Sequence, residues 1–268
     1  MITPRASAPH ARRHARWLAA LLVGAASCGV DLGPRAEVRD EWKRSYAIDR
    51  QGTFEIHNTN GRIRVEPSDG ATIEVVATRI VRAPSEAQAK NALADLKIEE
   101  QVSTSRIVLD TTDSLGFAFF LNRSKRVDFV ARVPRTVNVS LDSTNGDIEV
   151  QGLGGTFRGE TTNGRVEASG LEGAAVVETT NGDVRLDFAR LADGGIQTST
   201  TNGSIRILLP RDAKANLSAR LTNGSISTSD FTLTTTEQSR RRLAATLNGG
   251  GPAVRLETTN GSIHIGGR

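Results

Sequence analysis

Seven copies of Thr-Asn-Gly, each leading into a short run of alternating apolar and polar residues, constrain this chain more than anything else in it. Their Asn-Gly pairs are Asn60-Gly61, Asn145-Gly146, Asn163-Gly164, Asn181-Gly182, Asn202-Gly203, Asn223-Gly224 and Asn260-Gly261. From Asn145 to Asn223 successive copies lie 18, 18, 21 and 21 residues apart, and the next step of 37 is about two such units. A regular period near twenty marks one small structural unit stacked on copies of itself, each burying its apolar face against its neighbours.

Counted from each repeat Asn as position zero, positions −6, −4, +3 and +5 are mostly apolar. Val139, Leu141, Ile148 and Val150 occupy them in one unit, Ile196, Thr198, Ile205 and Ile207 in another, and Val254, Leu256, Ile263 and Ile265 in the last. Positions −3, +2 and +4 are mostly polar or charged, as in Glu160, Arg165, Glu167 and in Glu178, Asp183, Arg185. Alternation with period two on both sides of a turn predicts half-buried β-strands, bent or reversed at Asn-Gly. Both residues tolerate the positive φ such a turn can require. The predicted fold class is all-β.

Two architectures satisfy the pattern. Asn-Gly between alternating strands is a strong hairpin signal, which would give an antiparallel meander or sandwich. Alternatively each unit is one coil of a single-stranded β-solenoid with Thr-Asn-Gly corners, like strands stacking about 4.8 Å apart. The solenoid is favoured, because hairpins need only their turns to be alike, whereas core, turn and surface rows all recur here in register. Stacking would align Thr at −1 and Asn at zero into ladders that hydrogen-bond from coil to coil. Row +2 would run Asp147, Arg165, Asp183 as an alternating charge ladder.

Between the first copy and the rest lies a different stretch. Ser85 is a fitting N-cap for a helix over 86–96, with Leu93 and Leu96 three apart and Pro84 just before it. Strands are predicted at 98–102, 106–110 and 127–133. The segment from about 84 to 126 therefore reads as a helix-containing cap over the first coils, shielding an open edge. Residues 234–251, with Arg240-Arg241-Arg242 and then Asn248-Gly249-Gly250-Gly251, read as a degenerate coil or an excursion.

The N-terminal segment has another character. Arg5, Arg12, Arg13 and Arg16 precede an apolar stretch at 17–26 that is short for a bilayer span. Ala25-Ala26-Ser27 then runs into Cys28, the only cysteine of the chain. This arrangement resembles a bacterial lipoprotein signal over 1–27, with Cys28 lipidated, although Ala25 stands where that pattern prefers Leu. Residues 28–40 read as a tether and 41–268 as the β-repeat domain. Gly29 follows the cysteine where an Asp would suggest inner-membrane retention, so an outer-membrane or cell-surface destination is favoured.

Removing 1–27 changes the charge argument. The chain has 34 Lys+Arg against 30 Asp+Glu, and four of those arginines but no acid lie in that segment, leaving 30 against 30. The sequence pI of about 9.7 thus belongs to the precursor, and a basic footprint for nucleic acid is lacking. With a single cysteine no intramolecular disulfide forms, so stability must come from packing.

Several of these runs together carry a family likeness. Residues 127–134 read Val-Asp-Phe-Val-Ala-Arg-Val-Pro, 137–141 read Val-Asn-Val-Ser-Leu, and 143–150 read Ser-Thr-Asn-Gly-Asp-Ile-Glu-Val. With the later Thr-Asn-Gly copies and the closing Asn-Gly-Gly-Gly and Thr-Thr-Asn-Gly-Ser-Ile, the chain over roughly 42–265 resembles the bacterial "putative adhesin" β-repeat domain family. That resemblance implies a β-solenoid-like fold and an extracytoplasmic role, and it brings no catalytic residues with it.

Chemistry is sparse. Outside 1–27 the histidines are His57 and His264, at outward positions −3 and +4 of the first and last copies. They should lie far apart, so neither a metal pair nor a Ser-His-Asp set is predicted, and no cofactor is expected. β-Solenoids can host polysaccharide enzymes that use stacked carboxylates; Glu149 beside Glu167 is the best such pair, but a solvated strand surface is the favoured reading of it. Asp does not recur at a nonapeptide spacing, which argues against a calcium repeat. Two segments could meet a partner. Residues 115–121 hold Phe117, Phe119 and Phe120 ahead of Arg123, Lys125 and Arg126, and could serve as a surface patch or fold over the core. Arg240, Arg241 and Arg242 could meet anionic lipid or glycan, or simply be solvated.

The sequence therefore predicts a non-catalytic, lipid-anchored, extracytoplasmic repeat protein that binds or scaffolds an envelope protein or glycan. It attaches to the membrane through its N-terminus and has no role with nucleic acid. The rivals are a carbohydrate-active solenoid enzyme and an accessory or sensor lipoprotein of an envelope stress system.

Overall fold

The structure, a computed structural model, describes residues 36–112 and 124–268. In chain order the elements begin with β1 (Ala36–Ala47), β2 (Thr53–Asn60), β3 (Ile63–Ser68), β4 (Thr72–Ala83), α1 (Glu86–Ala94), β5 (Glu99–Val102), β6 (Arg106–Asp110) and β7 (Ser124–Pro134). The repeats supply β8 (Asn138–Asn145) with β9 (Ile148–Gln151), β10 (Phe157–Asn163) with β11 (Val166–Leu171), and β12 (Ala175–Asn181) with β13 (Val184–Phe188). They continue with β14 (Ile196–Asn202) and β15 (Ile205–Leu209), then β16 (Ala215–Asn223) and β17 (Ile226–Ser229). The chain closes with β18 (Leu233–Gln238), β19 (Arg242–Leu247), β20 (Ala253–Asn260) and β21 (Ile263–Gly267).

In every copy the strand running into Asn-Gly joins one sheet and the strand leaving it joins another. The entry sheet is ordered β18-β19-β16-β20-β14-β12-β10-β8-β2-β6-β5, and the exit sheet β1-β4-β7-β3-β9-β11-β13-β15-β21-β17; both are open. Strands that flank one Asn-Gly thus never pair with each other, and the hairpin alternative fails for the repeats. Equivalent strands of neighbouring copies instead pair in parallel and in register, with Asn60 opposite Asn145, Asn145 opposite Asn163, Asn163 opposite Asn181 and Asn181 opposite Asn202.

The period-two pattern explains the core. Val139, Leu141, Ile148 and Val150 are buried, as are Ile196, Thr198, Ile205 and Ile207, and Val254, Leu256, Ile263 and Ile265. They meet between the two sheets in one apolar cluster that extends to Tyr46 and Phe54 at one end and Leu247 at the other. Each such Val, Ile or Leu contributes roughly 1.5–3 kcal/mol when fully buried. The outward residues Glu160, Arg165 and Arg185 are exposed, and Glu167, Glu178 and His264 half-exposed.

Three departures from the sequence reading follow from long-range pairing. First, β2 and β3 stack directly on β8 and β9, so the 85-residue step from Asn60 to Asn145 does not separate the first two copies. The intervening chain widens both sheets instead: β7, β4 and β1 continue the exit sheet, β6 and β5 the entry sheet. Second, β1 begins at Ala36 and pairs antiparallel with β4 along its length, so residues 36–40, expected within the tether, are sheet. Third, the 37-residue step is not two stacked units, and of the two readings of 234–251 the excursion is the one observed. Its extra residues form antiparallel β18 and β19 on the far side of β16. The last copy then returns to wedge β20 between β14 and β16, and β21 between β15 and β17.

Helix α1 starts where its cap chemistry places it, with the Ser85 hydroxyl accepting from the Gln88 N–H at 3.4 Å. It packs against β1 and β4 through buried Ala89 and Ala92, with Leu96 buried just beyond it. Among the described residues no helix is long and apolar enough to cross a membrane.

Candidate functional site

The corners are rigid, for reasons of close contact. Repeat asparagines donate from Nδ2 to Oδ1 of the copy stacked beside them: Asn145 to Asn60, Asn163 to Asn145, Asn181 to Asn163 and Asn202 to Asn181, all at 2.9 Å. Asn260 continues the ladder to Asn202 and Asn223 to Asn260, both at 2.8 Å. The glycines at +1 pack backbone on backbone. A Cβ on Gly182 would sit 1.8 Å from the Gly164 carbonyl oxygen, and one on Gly203 1.9 Å from that of Gly182. Close approach therefore demands glycine here. Positive φ is the lesser reason: only Gly61, Gly224 and Gly261 of the seven repeat glycines adopt it, and none of the repeat asparagines does.

The threonine reading needs correcting by one position. Thr at −1 faces solvent, exposed at Thr144, Thr162, Thr180, Thr201, Thr222 and Thr259. The inward neighbour at −2 makes the corner bond: Thr161 donates to the Gly146 carbonyl at 3.2 Å, Thr179 to Gly164 at 3.3 Å, Thr200 to Gly182 at 3.1 Å and Thr258 to Gly203 at 2.9 Å. Row +2 is likewise not a charge ladder. The Asp147 carboxylate accepts from the backbone N–H of Arg165 at 2.8 Å, and that of Asp183 from the N–H of Ser204 at 2.8 Å.

On this frame one cleft stands out by its charge. The turn from β18 to β19 is held by Ser239, whose Oγ accepts from the N–H groups of Arg241 (3.3 Å) and Arg242 (3.0 Å). It brings both side chains to a cleft of about 500 Å³ on the outer face of the entry sheet. Arg220 of β16, directly across the ladder from Arg242, lines the same cleft. The floor is hydroxyl-rich, with Ser199, Thr201, Thr222 and Thr259. Glu257 of β20 is the one acid on the lining; it lies in register with Arg220 but makes no ion pair with it. Among the described residues none of the three guanidiniums has a hydrogen-bond or ion-pair partner. Arg240 is exposed but lies outside the lining.

The two other clefts described carry acids as well as arginines. A cleft of about 260 Å³ over β4 and β7 holds Arg39, Arg82 and Arg126, but Glu37 takes the first two and Asp128 the third. Arg82 foremost, and Arg39 with it, hold the Glu37 carboxyl below its ordinary range. A larger cleft of about 780 Å³ at the opposite turns mixes Arg135 and Arg190 with Glu172 and Asp193.

Glu149 and Glu167 do stand opposite each other, on β9 and β11. Each is engaged by arginine, Glu149 by Arg64 at 2.9 Å and Arg62 at 3.5 Å, Glu167 by Arg185 at 3.6 Å. The histidines lie in different sheets, His57 on β2 and His264 on β21. His264 Nδ1 lies 3.0 Å from the Ser227 hydroxyl. His57 is half-buried among Glu55, Asp110 and Asp142; its bond to Asp142 and the surrounding carboxylates raise its pKa against the opposing effect of burial. Among the described residues no cluster of three or more His, Cys, Asp or Glu could hold a metal. Cys28, Phe117, Phe119 and Phe120 lie outside the described residues.

Sequence reasoning found Arg241 and Arg242 but missed Arg220. A signal existed: position −3 carries Asp142, Glu160, Glu178 and Glu257 in other copies, and only Asn223's unit reverses the sign there.

Comparison with known proteins adds the following. The family model described as Toastrack DUF4097 matches residues 49–266. A putative cell adhesion protein from Clostridium sporogenes ATCC 15579 is similar in structure at 13% identity, with TM-score 0.47, covering 86% of this chain and 100% of its own. A putative adhesin from Bacteroides fragilis NCTC 9343 is similar at 12% identity, with TM-score 0.41, covering 85% and 97%. No curated protein matches the sequence.

Proposed function

The chain belongs to the Toastrack DUF4097 family, and from that premise we propose that it is a non-catalytic, lipid-anchored, extracytoplasmic β-solenoid that binds or scaffolds an envelope component. Parallel, in-register pairing of equivalent strands supports reading each 18–21-residue unit as one coil with a Thr-Asn-Gly corner. The helix-bearing strands at the β1 end cap the stack, and Cys28 carries the lipid. The observation that carries the non-catalytic reading is the state of the Glu149 and Glu167 pair. Both carboxylates are engaged by arginines on a solvent-facing strand surface, and neither lines any of the three clefts described above. General acid–base catalysis needs a carboxyl free to exchange a proton with substrate.

Crosslinking the native protein in its own envelope, with identification of what is attached, tests the reading. A specific protein or glycan partner is the expected result. Loss of cellular role in a folded E149Q/E167Q variant would sink it in favour of a carbohydrate-active enzyme. Metabolic incorporation of an alkyne fatty acid, abolished by Cys28→Ser, is expected from the anchor; incorporation that survives the substitution would remove it.

A further inference from the structure

We propose that the Arg220–Arg241–Arg242 cleft is a binding site for an acidic polysaccharide, a glycan bearing carboxylate or sulfate groups. The inference deepens the binding role proposed above and rests on it.

The cations are arranged at a cost. Like charges directly opposite in an antiparallel ladder destabilise it, yet Arg220 and Arg242 are such a pair, with Arg241 next in the chain. The usual remedy, an acid from a neighbouring strand, is within reach and unused: Glu257 pairs in register with Arg220 and makes no ion pair with it. Three cations against one acid leave the lining positive, while the clefts at Arg39 and Arg135 carry their own counter-charges.

The lining also selects among anions. Guanidinium groups match the two-oxygen edge that a carboxylate or a sulfate presents. The remaining surface is hydroxyl, from Ser199, Thr201, Thr222 and Thr259, which can exchange hydrogen bonds with sugar hydroxyls. Leu221 is the only large apolar side chain on the lining and is itself buried. Among the described residues the exposed large hydrophobic side chains are Val102 and Val130, on other strands. Nothing at the cleft would enter the acyl region of a bilayer, as a lipid-surface site requires. The threonine row continues along the sheet at the spacing of stacked strands, about 4.8 Å, so an extended chain can lie along it while its anionic groups meet the arginines at the end.

The test uses the full chain purified in detergent, with dextran sulfate and polygalacturonate as probes and neutral dextran as control. Binding to at least one polyanion and not to dextran is expected. The double variant R220Q/R242Q should lose about tenfold or more in affinity, as for two charge-assisted contacts. Arg255→Gln, which removes one such charge from an exposed site on the same face outside the lining, should stay within about twofold of the parent. Retained polyanion binding in R220Q/R242Q overturns the proposal, as does an equal loss in R255Q, which would mean a diffuse field. Capture by phosphatidylglycerol vesicles without glycan binding, or arginine-dependent self-association without it, overturns it too. Both variants should unfold no lower than the parent, since R242Q relieves a like-charge pair, so lost binding is not lost folding. The length of the bound polygalacturonate is measured throughout. Shortening would overturn the non-catalytic reading, whereas simple failure to bind removes only this inference.

Discussion

At the scale of single residues, the repeat is written in contacts that admit one side chain each. Gly182 is fixed by the carbonyl of Gly164, which would lie 1.8 Å from an added Cβ. Backbone is the obstacle, so no flexible side chain can yield. Gly182→Ala should therefore cost about 1–3 kcal/mol, as overpacking does in a tight core, and chemical denaturation would show it as a lower midpoint. An unchanged midpoint would mean that the corners are looser than the ladder of 2.9 Å asparagine bonds implies. Thr198 is the opposite case. It occupies an apolar row, in register with Val177 and Leu256, and its buried hydroxyl has no hydrogen-bond partner. Thr198→Val keeps the shape and removes the orphan, so a gain of about 1 kcal/mol is expected. A loss on the same denaturation measurement would show that the hydroxyl is satisfied.

At the scale of elements, His57 ties the first repeat strand to its neighbours. It lies on β2, in register with Asp110 of β6 and Asp142 of β8. Its Nδ1 is 3.8 Å from Asp142 and its Nε2 3.7 Å from Glu55, whose carboxylate binds Arg106 of β6. The folded pKa of His57 is raised above the ordinary 6.5. Its contribution is thus complete below that value and disappears as pH rises through the folded value. Glu55 runs the other way. Arg106 lowers it from 4.5, so its contribution is present above that value and disappears as pH falls through the depressed one. The β2 end should be most stable between the two, near about pH 5–6. Between about pH 6 and 8 the melting temperature of the parent should fall more than that of His57→Gln. Parallel curves would show that the histidine is uncoupled from the sheet.

At the scale of the whole molecule, the last copy is a wedge. β20 is held by β14 on one side and β16 on the other, and β21 by β15 and β17. A chain ending after residue 251 would leave β16 and β17 with no parallel partner, so the end of the stack should come apart as a unit. Hydrogen exchange on such a truncation should show protection lost through β16–β19 and retained at β8–β13, because stacked repeats stabilise nearest neighbours. Loss everywhere would mean that the molecule is a single cooperative unit. In the intact chain, solvent-exposed β18 at the sheet edge should exchange before β20.

The alternation around Thr-Asn-Gly determined by itself that the chain is all-β, which rows face inward and which outward, and where the corners fall. Those properties are local, because a period-two pattern assigns each side chain a face whatever the strand pairs with. The same locality blinded it elsewhere. Period two already sets −2 on the inner face with −4 and −6 and −1 on the outer face; what the pattern could not show is the glycine carbonyl that the inner threonine meets across the stack. Strand partnership is a long-range choice, so only tertiary structure decided that β2 meets β8 across the 85-residue step and that the final copy inserts between its predecessors. The candidate site shares that fate. Arg241 and Arg242 were visible as a basic run, but Arg220 reaches them only because β19 turns back antiparallel on β16. The side chain at residue 242 finds its partner 22 residues away through backbone hydrogen bonding that charge alone opposes.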